Sequence, residues 1–191
     1  MATMFIDDQS FQGVHFNLED WKTATYEDCT FEECTFQGLD FTGCRFINCL
    51  FRDCDLSNVK FLNTSFQEVE MRNCKAMGLM FEQCSDFSFG IQFHHSALNH
   101  SSFYQVNLQR SSFRECSLAE VDFTEANLNG VVLLACDFEN ATFDQTKLER
   151  AKLSNAKKLR LDPETNAIQG ASLSAHSLPG LLTKYGLRVT E

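Results

Sequence analysis

This chain of 191 residues is short of several things, and each shortage removes a class of function. It has no apolar run near the ~20 residues that a membrane-crossing helix needs. Its first ten residues, MATMFIDDQS, lack a basic stretch followed by an apolar one, so no secretory leader is expected and the cytoplasm is the expected compartment. Positive charge is scarce: 16 Lys and Arg stand against 26 Asp and Glu, a net charge of −10. The imbalance is regional, with 23 acids and 10 bases over residues 1–150 but 3 acids and 6 bases over 151–191. An acidic body excludes direct nucleic-acid binding and attracts a protein with a basic surface, including one that normally holds DNA. There is no Gly-rich phosphate loop, no Cys/His set at metal spacing and no nucleophile with a positioned base, so no enzyme and no cofactor is expected.

What the chain has in abundance is a period. In FEECTFQGLDFTGCRFINCLFRDCDL, Phe stands at 31, 36, 41, 46 and 51 and Leu at 56, always five apart. A helix face recurs at three and four and a strand face at two, so five fits neither. It fits a coil of short straight segments joined by corners, and such a repeat outranks every other signal. The frame runs from Phe11 to Phe81 with every centre apolar. The position two before each centre is mostly small or apolar, as in Val14, Ala24, Cys29, Cys34, Cys44, Cys49, Cys54 and Cys74. Two residues in five therefore point inward and three face water. Gly13, Gly38, Gly43, Gly78 and Gly130, with Asn48, Asn58, Asn63, Asn73 and Asn140, stand two after a centre, where a type II corner needs positive φ. Four corners close a square coil in about twenty residues, and coils stack about 4.8 Å apart.

The frame breaks between Phe81 and Phe93, which are twelve apart rather than ten. Asp86 falls where a core aromatic belongs, and Phe87 and Phe89 are out of phase. The break at about 84–95 is either a bulged coil or a small loop, and as the one non-repetitive surface of the body it is a natural recognition site. Phe87, Phe89, Gln92, His94 and His95 are its candidate partner contacts. A second frame runs from Phe93 to Leu153. The expected organisation is a β-helix over 1–157, in sections 9–83 and 91–157, of about seven coils and roughly 34 Å. A capping segment over 158–191 follows. There, Ser177 is a candidate N-cap, Pro179 a first-turn residue and Gly186 a stop for an α-helix. Leu178, Leu181, Leu182 and Tyr185 share one face of it, and Leu187 and Val189 alternate like a short strand; the segment either caps the rod alone or, as is favoured, also dimerises it, with these six as the candidate dimer contacts.

Other readings compete. Cys34, Cys54 and Cys74 stack at intervals of twenty, which admits metal or disulfide chemistry, but Ser, Ala, Thr and Val fill equivalent slots, so small buried packing is favoured. His94, His95 and His100 admit a base or a metal ligand, as in β-helix enzymes with hexapeptide coils, against plain surface histidines or partner contacts. Candidate acidic contacts fall by phase on three faces: Glu32, Glu33, Asp53 and Glu70; then Glu120, Asp137 and Glu139; then Asp122, Glu125 and Asp144.

On its pentapeptides, the chain over residues 9–157 resembles a pentapeptide repeat protein, an all-β solenoid wound as a right-handed quadrilateral β-helix. More narrowly, MRNCKAMG at Met71–Gly78 and SLPGLLTKYGLRV near the C-terminus resemble segments of the Qnr-type quinolone-resistance proteins. That resemblance implies a tip-to-tip homodimer, shaped and charged like B-DNA. It implies binding to DNA gyrase and topoisomerase IV, with protection of both from fluoroquinolones. Such a dimer has acidic flanks of roughly 70 Å, the length of about 20 base pairs. The chain carries no insertion between Phe36 and Phe41, where the family's first projecting loop sits. The alternatives are an acidic scaffold without enzymatic activity and an immunity protein against a natural gyrase toxin.

Overall fold

The structure is a computed structural model that describes residues 4–187. The chain winds as a right-handed quadrilateral β-helix. One wall is a four-stranded parallel sheet of β1 (Met4–Asp7), β3 (Ala24–Glu27), β5 (Arg45–Ile47) and β7 (Ser65–Gln67). The adjoining wall is a nine-stranded parallel sheet. It runs through β2 (Ser10–Gln12), β4 (Thr30–Glu32), β6 (Leu50–Arg52), β8 (Val69–Arg72), β9 (Ile91–His94), β10 (Ser112–Arg114), β11 (Val132–Leu134), β12 (Lys152–Leu153) and β13 (Ser172–Leu173). Eight steps of about 4.8 Å make this wall about 38 Å long. The remaining walls are held by single parallel bridges such as His15↔Thr35 and Asp40↔Lys60.

The square cross-section explains the aromatic geometry. Neighbouring walls are roughly perpendicular, so Phe31, Phe36 and Phe41 meet edge to face, at 5.5 and 5.4 Å. Equivalent positions in successive coils lie one above the other, so Phe31 stacks on Phe51 at 4.8 Å and Phe103 on Phe123 at 5.4 Å. Both arrangements suit the ring quadrupole. All five phenylalanines from Phe31 to Phe51 are fully buried.

In several coils the slot two residues earlier also makes a hydrogen bond. The Cys54 thiol donates to the carbonyls of Arg52 and Phe31 at 3.2 and 3.3 Å. Thr64 and Thr146 donate from equivalent slots to Phe41 and Phe123, both at 2.8 Å. Where the slot holds Cys or Thr the side chain thus also gives a hydrogen to the backbone, whereas Ala24, Val69 and Leu79 fill the same slot by packing alone. All nine cysteines are free, and burial pushes the Cys49 thiol up to about 12. This geometry supports the packing reading of the cysteine ladder.

The corners carry the positive φ expected at the Gly and Asn positions. They also impose it on Asp8, Asp28, Glu33, Asp53, Glu68, Glu115, Glu120 and Glu125. The ladder forces this: the Glu33 N–H donates to the Arg52 carbonyl at 2.9 Å in the next coil, whatever the side chain. For an ordinary residue the left-handed region costs about 1–2 kcal/mol. Ala135, at φ 55°, has no side-chain bond to offset that cost. Ala135→Gly is therefore expected to raise stability by about 1 kcal/mol in a urea titration; an unchanged or lower midpoint would contradict a strained corner.

The C-terminal segment corrects one expectation. The helix forms as two 3-10 pieces, Ala175–Leu181 and Thr183–Tyr185, rather than as an α-helix. Ser177 is not its N-cap. It lies inside the first piece, buried, and donates to the Ala156 carbonyl at 2.8 Å. Pro179 lies in the body of that piece, and Gly186 ends the second at φ 64° as expected. Leu187 lies in no strand, and Val189 falls outside the described residues.

Candidate partner-binding surface

The break is confined to one wall. The nine-stranded sheet passes through it with Met71 opposite Phe93, a step of 22 residues instead of 20. The four-stranded sheet ends at β7, and the chain instead makes a 3-10 turn at Phe81–Gln83 and a detour to Gly90. It re-enters the wall where the Gly90 N–H donates to the Phe66 carbonyl at 3.0 Å.

The two out-of-phase phenylalanines part company here. Phe89 is buried edge-on to Phe81 and Phe66, at 6.2 and 6.4 Å, and fills the core position that Asp86 leaves. Phe87 is 67% exposed. Of the five candidate contacts at the break, Phe89 is therefore a core residue, whereas Phe87 is presented to solvent. Gln92 is tied into the wall, donating to the Arg110 carbonyl at 2.9 Å and accepting from the Ser112 hydroxyl. The histidines each face a carboxylate: His94 meets Glu70 at 3.3 Å, His95 meets Glu115 at 3.5 Å and His100 meets Glu120 at 3.3 Å. Burial, chiefly, holds His94 below the usual histidine value, with Arg72, Arg114 and His95 adding to the effect and Glu70 opposing it.

The acidic candidates divide by how free their charge is. Glu32 pairs with Arg52 at 3.1 Å. Glu70 accepts two bonds from Arg72, at 2.7 and 2.8 Å, which hold its carboxyl below the usual range. Asp137 and Glu139 share Lys158, at 3.1 and 2.7 Å. Asp122 caps the Thr124 N–H at 2.8 Å, and Glu125 accepts from Gln105 at 2.8 Å. Asp144 is exposed, as are Glu33 and Asp53, and among the described residues none of these three has an ion-pair partner. Glu33 and Asp53 stand in successive coils on one corner. The acids missed from the sequence are Asp8, Asp28, Glu68 and Glu115, all exposed at corners. Their signal was present, since they fill the same slot as the Gly and Asn residues.

At the far end, Leu178, Leu182, Tyr185 and Leu187 are exposed, from 36% to 61%, and Leu181 is partly buried on the core. The segment is fastened by Lys184, which pairs with Asp162 at 2.7 Å and Glu164 at 2.5 Å. Among the described residues, no helix is long and apolar enough to cross a membrane.

No curated protein matches this chain. Among solved structures, a trypsin-treated variant of QnrB1, a plasmid-mediated fluoroquinolone resistance protein, is 24% identical, with a TM-score of 0.50 over 98% of this chain and 99% of that one. HetL, a pentapeptide repeat protein involved in heterocyst differentiation regulation in the cyanobacterium Nostoc sp. strain PCC 7120, is 14% identical, with a TM-score of 0.47 over 88% and 84%. The first of these likenesses is one of fold. The family model for the pentapeptide repeat region matches residues 24–88 and 89–160, the same stretch in which Phe and Leu recur every five residues around a square core, and the chain belongs to that family.

Proposed function

We propose that this protein is a cytoplasmic, non-enzymatic mimic of DNA that binds type II topoisomerases, DNA gyrase and topoisomerase IV, and protects them from fluoroquinolones. The observation that carries the reading is charge density on a rigid rod. Residues 1–150 hold 23 acids and 10 bases. Spread over the roughly 35 Å that these residues span at about twenty per coil, that excess is one net negative charge per about 3 Å, within a factor of two of the ~1.7 Å spacing along B-DNA. The corner acids Glu33 and Asp53 and their equivalents in other coils set part of that charge at the steady interval of the coil rise. The exposed apolar end at Leu178, Leu182, Tyr185 and Leu187 joins two rods tip to tip and doubles the acidic length. A saddle that normally grips a duplex meets a rod of the same sign of charge.

The test is gyrase supercoiling in the presence of a fluoroquinolone while the protein is titrated in. Restored supercoiling is the expected result, and the triple variant Glu33→Lys/Asp53→Lys/Glu125→Lys is expected to need at least tenfold more protein. Wild-type binding is expected to weaken steeply between low and physiological salt, as contacts between exposed charges do. Inhibition without rescue would keep the mimicry and replace protection with regulation. No effect on either enzyme would overturn the reading.

A further inference from the structure

The detour at the break leaves a cleft of about 500 Å³ between the Phe81–Gln83 turn and the Tyr104–Asn107 segment of the next coil. Its floor is apolar, made by the edges of Phe81 and Phe89 and by Val106. Its charged groups are Glu82 and Asp86, and no Lys or Arg lines it. Glu82 is the anomaly. Its Oε2 is buried and has no hydrogen-bond partner. A buried carboxylate oxygen without a donor is costly and calls for one. Elsewhere the rod supplies such donors itself: Glu32 has Arg52, Glu70 has Arg72, Asp137 has Lys158 and Asp162 has Lys184. Among the described residues, neither Glu82 nor Asp86 has an ion-pair partner.

We propose that this cleft receives the side chain of an arginine or lysine from a protein partner. The cationic head pairs with the carboxylates of Glu82 and Asp86, which line the cleft without a basic partner, while the methylene stem lies on Phe81, Phe89 and Val106, as long basic side chains do on apolar surface. Tyr104, 38% exposed at the rim, offers its ring to the cation. The neighbouring Cys84 thiol adds no competing charge, because burial, with the charge of Glu82, pushes it well above its ordinary value. The cleft is a single-residue anchor, distinct from the corner acids Glu33 and Asp53, although Glu125 accepts from Tyr104 and Gln105 at its rim, and it does not depend on which protein the rod binds.

The test uses the full chain labelled with 15N and titrated with N-acetyl-argininamide, N-acetyl-norleucinamide and N-acetyl-glutamamide. The expected result is saturable amide shifts confined to residues 81–90 and 104–107, given by the arginine probe alone. Glu82→Gln is expected to weaken that binding by roughly tenfold or more, the effect of removing one charge-assisted hydrogen bond. Glu33→Gln, on the remote corner, leaves it unchanged. Shifts scattered along the acidic corners, equal response to the norleucine probe, indifference to Glu82→Gln, or no shift at millimolar probe would each overturn the proposal. A rod that fails to protect gyrase yet binds arginine in the cleft would retain this anchor and lose only the topoisomerase reading.

Discussion

Phe46→Ala is expected to lower the stability of the rod by about 3–5 kcal/mol, the range for deleting a buried aromatic ring. The position is chosen by its neighbours. Phe46 is fully buried, stacked between Tyr26 at 5.3 Å and Phe66 at 5.4 Å. It also meets Phe31, Phe41 and Phe51 within its own and adjoining coils, at 6.4, 5.3 and 5.4 Å. The cost combines lost transfer of the ring from water with the cavity it leaves, and the parallel ladders on either side resist collapse into that cavity. Each aromatic pair adds about 0.5–1.5 kcal/mol beyond burial. The matched control is Phe87→Ala, the same change at a residue that is 67% exposed, where an effect within about 0.5 kcal/mol is expected. Urea titration of both variants decides the matter. Equal midpoints for the two would mean that Phe46 does not pack as described.

Gly180→Ala is expected to release the C-terminal segment from the body. A Cβ at this position would stand 1.7 Å from the Leu159 carbonyl oxygen and 2.9 Å from its carbon. Both are backbone atoms of a coil fixed by its ladder, so the segment must move. Its docking contacts then go together: the Ser177 bond to Ala156, the Leu181 contact with the core, and the ion pairs of Lys184 with Asp162 and Glu164. A loss of about 2 kcal/mol or more is expected, the scale of an overpacked and undocked site. Limited proteolysis within residues 175–187 is expected to quicken at least tenfold. If two rods join through this end, the sedimentation of the variant also falls to that of a monomer. Unchanged melting and proteolysis would show that the close approach at Gly180 is not required.

Glycine serves two different purposes in this chain, and only one is visible in the sequence. At Gly13, Gly38, Gly43, Gly78 and Gly130 it relieves a corner, and its fixed distance from each centre announces that. At Gly180 it admits a neighbouring backbone, which no local pattern signals, because Leu159 is twenty-one residues away. The helix type was hidden for a related reason. Leu178, Leu181, Leu182 and Tyr185 have helical spacing, but docking against Ala156 and Leu159 draws the chain into tighter 3-10 turns.

The sequence by itself determined the repeat, the inward residues, the corners and the place of the break. A period of five admits one arrangement that buries two residues in five and keeps the ladder bonded. It also determined the acidic body, since charge is a property of composition. Tertiary structure alone decided which acids are free. Glu32 and Glu33 are neighbours in sequence, yet one meets Arg52 across the coil rise and the other stands at a corner with no ion-pair partner among the described residues. It likewise separated Phe87 from Phe89 and left Glu82 without a donor at a cleft. Those outcomes depend on contacts between residues about twenty apart, set by how one coil seats on the next, and no local run of residues encodes them.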